Sequence, residues 1–338
     1  MASERIDFLD AMRGLAAFAV VWYHYTTIFP ICYPDLYDNI LSFPKGYLGV
    51  QFFFMLSGFV IFMTLEKVKS VKEFLIKRFI RLYPTYWFCI LITAFFSIFQ
   101  VSDKLKVTLW DVIGNFTMVQ DLIRPVLSFK HVDGAYWSLM PELMFYLLMA
   151  VLLRFKLLKH IKIIGFIWIT ISLICTIYDI SFLMLGVILN FRYSSLFFAG
   201  IMFYILWKNE IERKNILNHL LIVFSLATSL FMIMFFEQKL TDCFVVIIFY
   251  LIHYLFVFGK APKVMPRPLL FLGKVSYPWY LLHQNIGYLI LFYLYSWTGI
   301  SSSFMIIIPM IVTCFMAYCV QRYFEQPVLK KLKILLLK

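Results

Sequence analysis

Arg13 and His24 stand eleven residues apart in the stretch AMRGLAAFAVVWYHYTTIF (residues 11–29), whose other side chains are almost all apolar or aromatic. At about 100° and 1.5 Å per residue, eleven helical steps close to within about 20° of three full turns and climb about 16.5 Å. A helix here therefore places the guanidinium and the imidazole on one face, the arginine near one mouth and the histidine deep. Taken singly, Arg13 reads as a snorkelling anchor and His24 as a hydrogen-bonded packing residue. Taken together on one face, they favour chemistry. A long anionic donor, with phosphates at one end and a reactive group at the other, fits that spacing. Acyl-coenzyme A has this form, and a histidine at the reactive end can act as a general base or carry the acyl group itself.

Further polar residues extend the pattern. Lys77, Arg78 and Arg81 in KRFIRLYP lie beside the start of an apolar segment, where guanidinium forks can hold a diphosphate or 3′-phosphate by paired hydrogen bonds; ordinary cytoplasmic loop charge is the competing reading. In FFFMLSGFV, Ser57 can donate a hydrogen bond, and Gly46, Gly49 and Gly58 admit close approach of a neighbouring helix or a pantetheine chain. A nucleophile elbow does not fit Ser57, because that motif needs a strand-to-helix turn and not a mid-helix position. Glu142, one turn after Ser138, is too costly to leave in lipid. Its readings are to orient His24, to bind an acceptor hydroxyl, to neutralise Arg13, or to form a structural ion pair. His283, in SYPWYLLHQN, divides between an acceptor or catalytic contact and a structural hydrogen bond. His131, His160, His219 and His253 carry no motif and are assigned ordinary roles.

The elements that must position these groups follow from composition. The chain has 338 residues, 63% hydrophobic and 20% aromatic with 14% charged, and a mean hydropathy of +0.86, far from the balance of soluble domains. Apolar windows long enough to cross about 30 Å of hydrocarbon fall at 8–29, 46–65, 84–101, 136–153, 161–180, 186–207, 216–236, 242–258, 275–295 and 304–321. This pattern predicts an all-α polytopic membrane protein of about ten transmembrane helices, with Asp179, Asn190 and Arg192 interrupting the fifth and sixth. With the N-terminus inside, 23 of the 31 Lys and Arg fall on the cytoplasmic side, from Arg5 to Lys338, and seven on the other, so both termini are placed in the cytoplasm. The net charge of +13 is thus mainly topological, with anionic lipid or an anionic substrate as further partners; split among short loops, it does not suit nucleic acid. The six cysteines form no CxxC or Cys/His cluster, so neither a disulfide framework nor a metal site is expected. The N-terminal stretch has no cleavable signal pattern, and residues 1–338 are expected to form a single membrane domain without an additional soluble one.

Six segments, in order, make the sequence resemble the acyltransferase 3 family of integral-membrane acyltransferases, which modify bacterial surface glycans and related acceptors. RIDFLDAMRGLAAFAVVWYH (5–24) carries the leucine–aspartate, arginine–glycine and histidine pattern as Leu9, Asp10, Arg13, Gly14 and His24. GYLGVQFFFMLSGFVI (46–61), KRFIRLYPTYW (77–87), YWSLMPELMFY (136–146), RYSSLFFAGIMFY (192–204) and GKVSYPWYLLHQ (273–284) come next, and the resemblance runs on to RYFEQPVLKKLK (322–333). It implies that Arg13 and His24 are the essential pair and moves Arg78 and Arg81 to the functional side.

The expected activity is O-acyl transfer in the inner, cytoplasmic membrane of a bacterium, with acetyl from cytoplasmic acetyl-CoA passing to a hydroxyl of a surface or lipid-linked glycan. His24 is the central residue, Glu142 and His283 assist, and Arg13, Arg78, Arg81 and Ser57 bind the donor; no metal is required. Some relatives carry an extracytoplasmic hydrolase-like domain, so this chain is expected either to act alone or to use a separate partner protein. A glycan-precursor transporter or flippase is the alternative, though it should show internal repeats and none is convincing here. A catalytically silent sensor is opposed by the intact Arg13 and His24. The shared-face argument has a direct test: one alanine inserted between Arg13 and His24 rotates the imidazole by about 100° relative to the guanidinium. Glycan acetylation should then be lost as completely as in His24→Ala, at unchanged membrane abundance.

Overall fold

The computed structural model of the chain describes residues 6–36, 41–100, 103, 105–123, 127–178, 183–300 and 303–337. Arg5, Lys104, Arg124 and Lys338 of the charge reading, and Asp179 of the fifth segment, lie outside the described residues. Regular structure among the described residues is helical throughout, with no strand. The principal helices are α1 (Asp7–Tyr23), α2 (Gly49–Leu65), α3 (Val71–Ser97), α4 (Leu109–Asn115), α5 (Leu139–Arg154), α6 (Ile161–Ile177), α7 (Ser194–Lys208), α8 (Ile216–Phe236), α9 (Leu240–Val257), α10 (Arg267–Thr298), α11 (Ile307–Cys319) and α12 (Gln326–Leu336). Eight helical segments among the described residues are long and apolar enough to cross a membrane. The chain is an all-α polytopic membrane protein.

Two of the ten expected spans are not among these eight. The sixth is broken: Asn190 takes a positive φ of 52°, and α7 starts only at Ser194, with 15 residues against the roughly 20 a span needs. The ninth is a 32-residue helix, about 48 Å long, but Lys274, Ser276, His283, Gln284 and Asn285 lower its hydropathy. The third helix begins at Val71 and carries Pro84 inside it. KRFIRLYP is therefore helical and not a lead-in, and Arg78 and Arg81 share a face as an i, i+3 pair.

The chain divides into two compact units. The first comprises Met1–Gly49, Ile76–Met140 and Met265–Lys338; the second comprises Val50–Leu75 and Pro141–Val264. In the first, α1 and α10 run in the same direction and nearly touch. A Cβ built on Gly14 would lie 2.7 Å from both the Gly273 nitrogen and the Leu269 carbonyl oxygen, and one on Gly273 would collide with the Asp10 carbonyl. Small residues at such a crossing let two backbones meet in hydrocarbon, where packing replaces the hydrophobic drive. Beyond Tyr23, α1 widens into a π-helical turn, His24–Ile28, before ending at Phe29–Cys32.

The second unit repeats the device. Gly58 of α2 lies against the Phe197 carbonyl, and Gly200 of α7 against the Met55 carbonyl. Beside this crossing Phe145 stacks on Phe197, with ring centroids 4.3 Å apart, and Phe54 packs tilted against Phe197 at 4.9 Å. The α1–α10 crossing is open to test: overpacking of this kind costs about 1–3 kcal/mol, so Gly273→Val should lower the melting temperature of detergent-purified protein. An unchanged melt would mean the two backbones do not meet there.

Candidate active site

His24 and His283 meet in the first unit. Each lies ten residues beyond its crossing glycine, Gly14 and Gly273, so the equal helical rise of about 15 Å brings them level. Their ring centroids are 4.8 Å apart with planes 70° to one another. His24 Nδ1 lies 2.8 Å from the Val20 carbonyl oxygen and 3.1 Å from His283 Nε2; His283 Nδ1 lies 2.8 Å from the Tyr280 carbonyl oxygen.

A carbonyl oxygen can only accept, so each Nδ1 carries a hydrogen. His283 Nε2 is then an acceptor facing His24 Nδ1–H, which is shared between Val20 and His283. What remains is His24 Nε2, an unprotonated nitrogen with no hydrogen bond among the described residues. The Val20 carbonyl and the His283 ring together thus fix the tautomer of His24. Should Nε2 take up a proton, the Nδ1–H already has two acceptors to share the charge.

His283 is fully buried and its carbonyl is also occupied. Tyr25, the residue after His24, donates its hydroxyl hydrogen to the His283 carbonyl at 2.7 Å and lies 3.3 Å from Thr313 Oγ1, which accepts from Trp279 Nε1 at 3.1 Å. Tyr25, Trp279 and Thr313 carried no functional signal in sequence; an aromatic or a threonine in an apolar run looks like any other packing residue, and only the fold pairs positions this far apart.

The basic residues take distinct places. Arg13 Nη1 lies 3.7 Å from Asp10 Oδ1, one turn earlier on α1. Arg81 forms an ion pair with the buried Glu325, and its guanidinium sits over the Tyr277 ring, 5.6 Å from the centroid. Tyr277 is one turn past Gly273, and Gly14 adjoins Arg13, so the Arg81 guanidinium and the backbone that carries Arg13 are set against the same stretch of α10. Arg78 lies one turn before Arg81 on α3 and is half-buried. Glu325 stands in the quoted C-terminal motif, but its partner across 244 residues could not be read from it.

Ser57 and Glu142 belong to the second unit. Ser57 donates to Glu142 Oε1 at 2.8 Å, and Tyr146, one turn along α5, donates to the same oxygen. Glu142 Oε2 has no hydrogen bond among the described residues. The carboxylate is thus held in place with one oxygen still able to accept.

Asp133, just outside the spanning helices, ties the segment around α4 to α10. Its Oδ1 accepts the Ala135 N–H and its Oδ2 the Asn285 N–H, both at 2.9 Å. The same segment is ordered by Asp111, which completes a capping box with Thr108 and accepts the Lys130 N–H at 2.6 Å, while Asn115 holds the Lys130 carbonyl at 2.7 Å. Sequence shows Asp133 only as a helix-start cap; its second contact, two residues past His283, comes from the fold.

Residues 6–319 match the family described as an acyltransferase domain. ORF330 of Acidianus two-tailed virus, whose name gives acetyltransferase as its provisional activity, is 26% identical over 281 residues, 80% of each chain. O-acetyltransferase OatA of Staphylococcus aureus is 26% identical over an alignment covering 96% of this chain and 57% of the relative. Peptidoglycan O-acetyltransferase OatA of Listeria monocytogenes is 31% identical over 157 residues, 42% of this chain and 23% of the relative. Against both OatA proteins the chain spans well under two thirds of the relative's length. No solved structure matches it.

The Asp133 tie gives a pH test. Burial pushes its carboxyl up to about 7, against the two backbone N–H donors and His131, which favour the charged form. With the folded value above the ordinary 3.8, folding favours the protonated acid. That contribution is complete below the unfolded value and is lost as pH rises through about 7. Asp133→Asn removes the titration, so between about pH 5 and about pH 8 its melting temperature should gain on that of the unsubstituted protein. A gap that does not move with pH would refute the assignment.

Proposed function

This chain belongs to the acyltransferase domain family, and on that premise we propose that it is a membrane O-acetyltransferase, carrying acetyl from cytoplasmic acetyl-CoA to a hydroxyl of a surface or lipid-linked glycan. The observation that carries the reading is the free Nε2 of His24, whose tautomer is fixed by Val20 and His283. As general base, Nε2 takes the proton of the acceptor hydroxyl while its oxygen attacks the thioester carbonyl. The C–S bond breaks, and the departing thiolate receives the proton from the imidazolium, so acetyl ester and coenzyme A thiol are formed without net proton release. If acetyl is instead held briefly on the imidazole, the same lone pair performs the capture. In both routes His283 is a positioning residue, because its own Nε2 is engaged with His24.

Arg13, Arg78 and Arg81 are assigned to the donor's phosphates, with Arg81 held by Glu325 and Tyr277 as a fixed fork. Ser57 has given its hydrogen to Glu142, so towards the pantetheine chain it can only accept, which suits an amide N–H. Glu142, with one oxygen unengaged, is proposed as an assisting carboxylate within the second unit. We place residues 1–338 as one domain in the cytoplasmic membrane of a bacterium, both termini inside, which puts Arg13 and Arg78 on the coenzyme A side. A separate partner protein that completes delivery to the glycan is part of the same proposal.

Thiol release from acetyl-CoA by purified protein, read beside donor binding, tests the roles separately. His24→Ala should lower turnover by about 10²-fold or more with donor affinity retained, since the phosphates sit about three turns away. Arg78→Gln should raise KM for acetyl-CoA with kcat little changed, and Arg78→Lys should fall between, because lysine keeps the charge and loses the fork. Arg81→Gln should in addition reduce folded yield by stranding Glu325. Full-rate transfer by His24→Ala at normal abundance would remove the central assignment.

A further inference from the structure

A groove of 590 Å³ lies in the first unit between α1, α10 and α11, within the range of about 300–1,000 Å³ typical of ligand pockets. Its floor is Trp279 and Met310, exposed by only 2% and 8%; its rim is Ile311 and Phe315, each 64% exposed. On the α1 side it is closed by Phe18 and Trp22. The wall offers no polar surface anywhere along its length. A saccharide or the amides of pantetheine would lose their hydrogen bonds there at a cost of about 1–3 kcal/mol per group, so the ligand class that fits is hydrocarbon. Along α11 the lining runs from Ile307 to Tyr318, a rise of about 16.5 Å, which is the depth of one leaflet of a core about 30 Å thick.

We propose that this groove seats the hydrocarbon chain of a lipid-linked acceptor. The inference rests on the acetyltransferase reading above and specifies the acceptor within it. The location supports an acceptor and not a bystander lipid. Trp22 stands two residues before His24, and Trp279 one turn before His283 on α10. Trp279 Nε1 donates to Thr313 Oγ1 at 3.1 Å, and Thr313 lies beside the Tyr25 hydroxyl that holds the His283 carbonyl. A chain lying on Trp279 therefore touches the support of the imidazole pair.

The test uses the full chain reconstituted in nanodiscs of phosphatidylethanolamine and phosphatidylglycerol. One probe is a polyprenyl phosphate with a diazirine in its tail; the other is a diazirine-bearing phosphatidylglycerol. Cross-links from the polyprenyl probe should map by mass spectrometry to Trp279, Met310 or Cys314. Unlabelled polyprenyl phosphate should reduce them about tenfold, equivalent to about 1.4 kcal/mol, and added phosphatidylglycerol should not. Met310→Trp, which fills the groove, should reduce labelling by a similar factor while acetyl-CoA affinity is retained. If that variant does not insert, the competition on unsubstituted protein decides alone. Equal labelling by both probes without competition, or labelling elsewhere, would overturn the proposal and make the groove a surface for bulk lipid. Thiol release from acetyl-CoA, measured in the same discs, separates the two readings: its absence in the unsubstituted protein defeats the acetyltransferase reading, whatever the cross-links show.

Discussion

Two glycines set how close α1 and α10 can run, and the geometry of the histidines depends on that distance. Gly14 and Gly273 remove the side chains that would hold two parallel helices apart. Because both helices then rise at the same rate, residues with equal offsets from the crossing meet again further along. His24 and His283 have equal offsets. Their contact is thus a consequence of register, fixed about 15 Å away by a contact that carries no chemistry of its own. The Tyr25 hydroxyl on the His283 carbonyl and the close seat of Tyr25 against Gly287 are later rungs of the same ladder.

Hydrocarbon surroundings explain why the polar groups come in sets. A donor or acceptor left unmade in lipid costs several kcal/mol, roughly, so these functional side chains are accompanied by others that engage part of their polar atoms. His24 has Val20 and His283; Arg81 has Glu325 and Tyr277; Glu142 has Ser57 and Tyr146. In each set the partners leave one atom of the proposed working group able to act, or hold that group in one orientation. Local polar completion and chemical selectivity are here the same arrangement: the acceptor lone pairs that satisfy His24 Nδ1–H are what direct its basicity to Nε2.

Periodicity made the Arg13–His24 relation readable, because it lies within one helix. The arginine pair at 78 and 81 was readable as charge, but not as part of a helix, since Pro84 suggests a start and not an interior position; in a membrane span neighbouring groups tolerate it. The window at 275–295 contains His283 and Asn285 and misses only the ends of α10: 267–274, where Arg267 and Lys274 interrupt the apolar run, and 296–298. Relations such as Arg81 to Glu325, Asp133 to Asn285 and Trp279 to Thr313 join distant segments. No local pattern encodes them, and residue type alone gives Tyr25 or Thr313 no distinction from packing neighbours.

The π-helical turn at His24–Ile28 shows where the register requirement ends. A π turn accommodates one extra residue in a helix, which by itself rotates everything beyond it by about 100° relative to everything before. Placed between Arg13 and His24, such an extra residue would take the imidazole off the face it shares with the guanidinium. Placed from His24 onward, it leaves Arg13, Gly14 and the His24 backbone in register with α10 and alters only the residues beyond. Among these are Tyr25, turned towards the His283 carbonyl and Gly287, and Phe29, whose ring lies 5.4 Å from that of Tyr288. One helix therefore meets two demands at adjacent positions. It carries a histidine on the arginine's face, and in the next residue it supplies the phenol that fixes the histidine's partner.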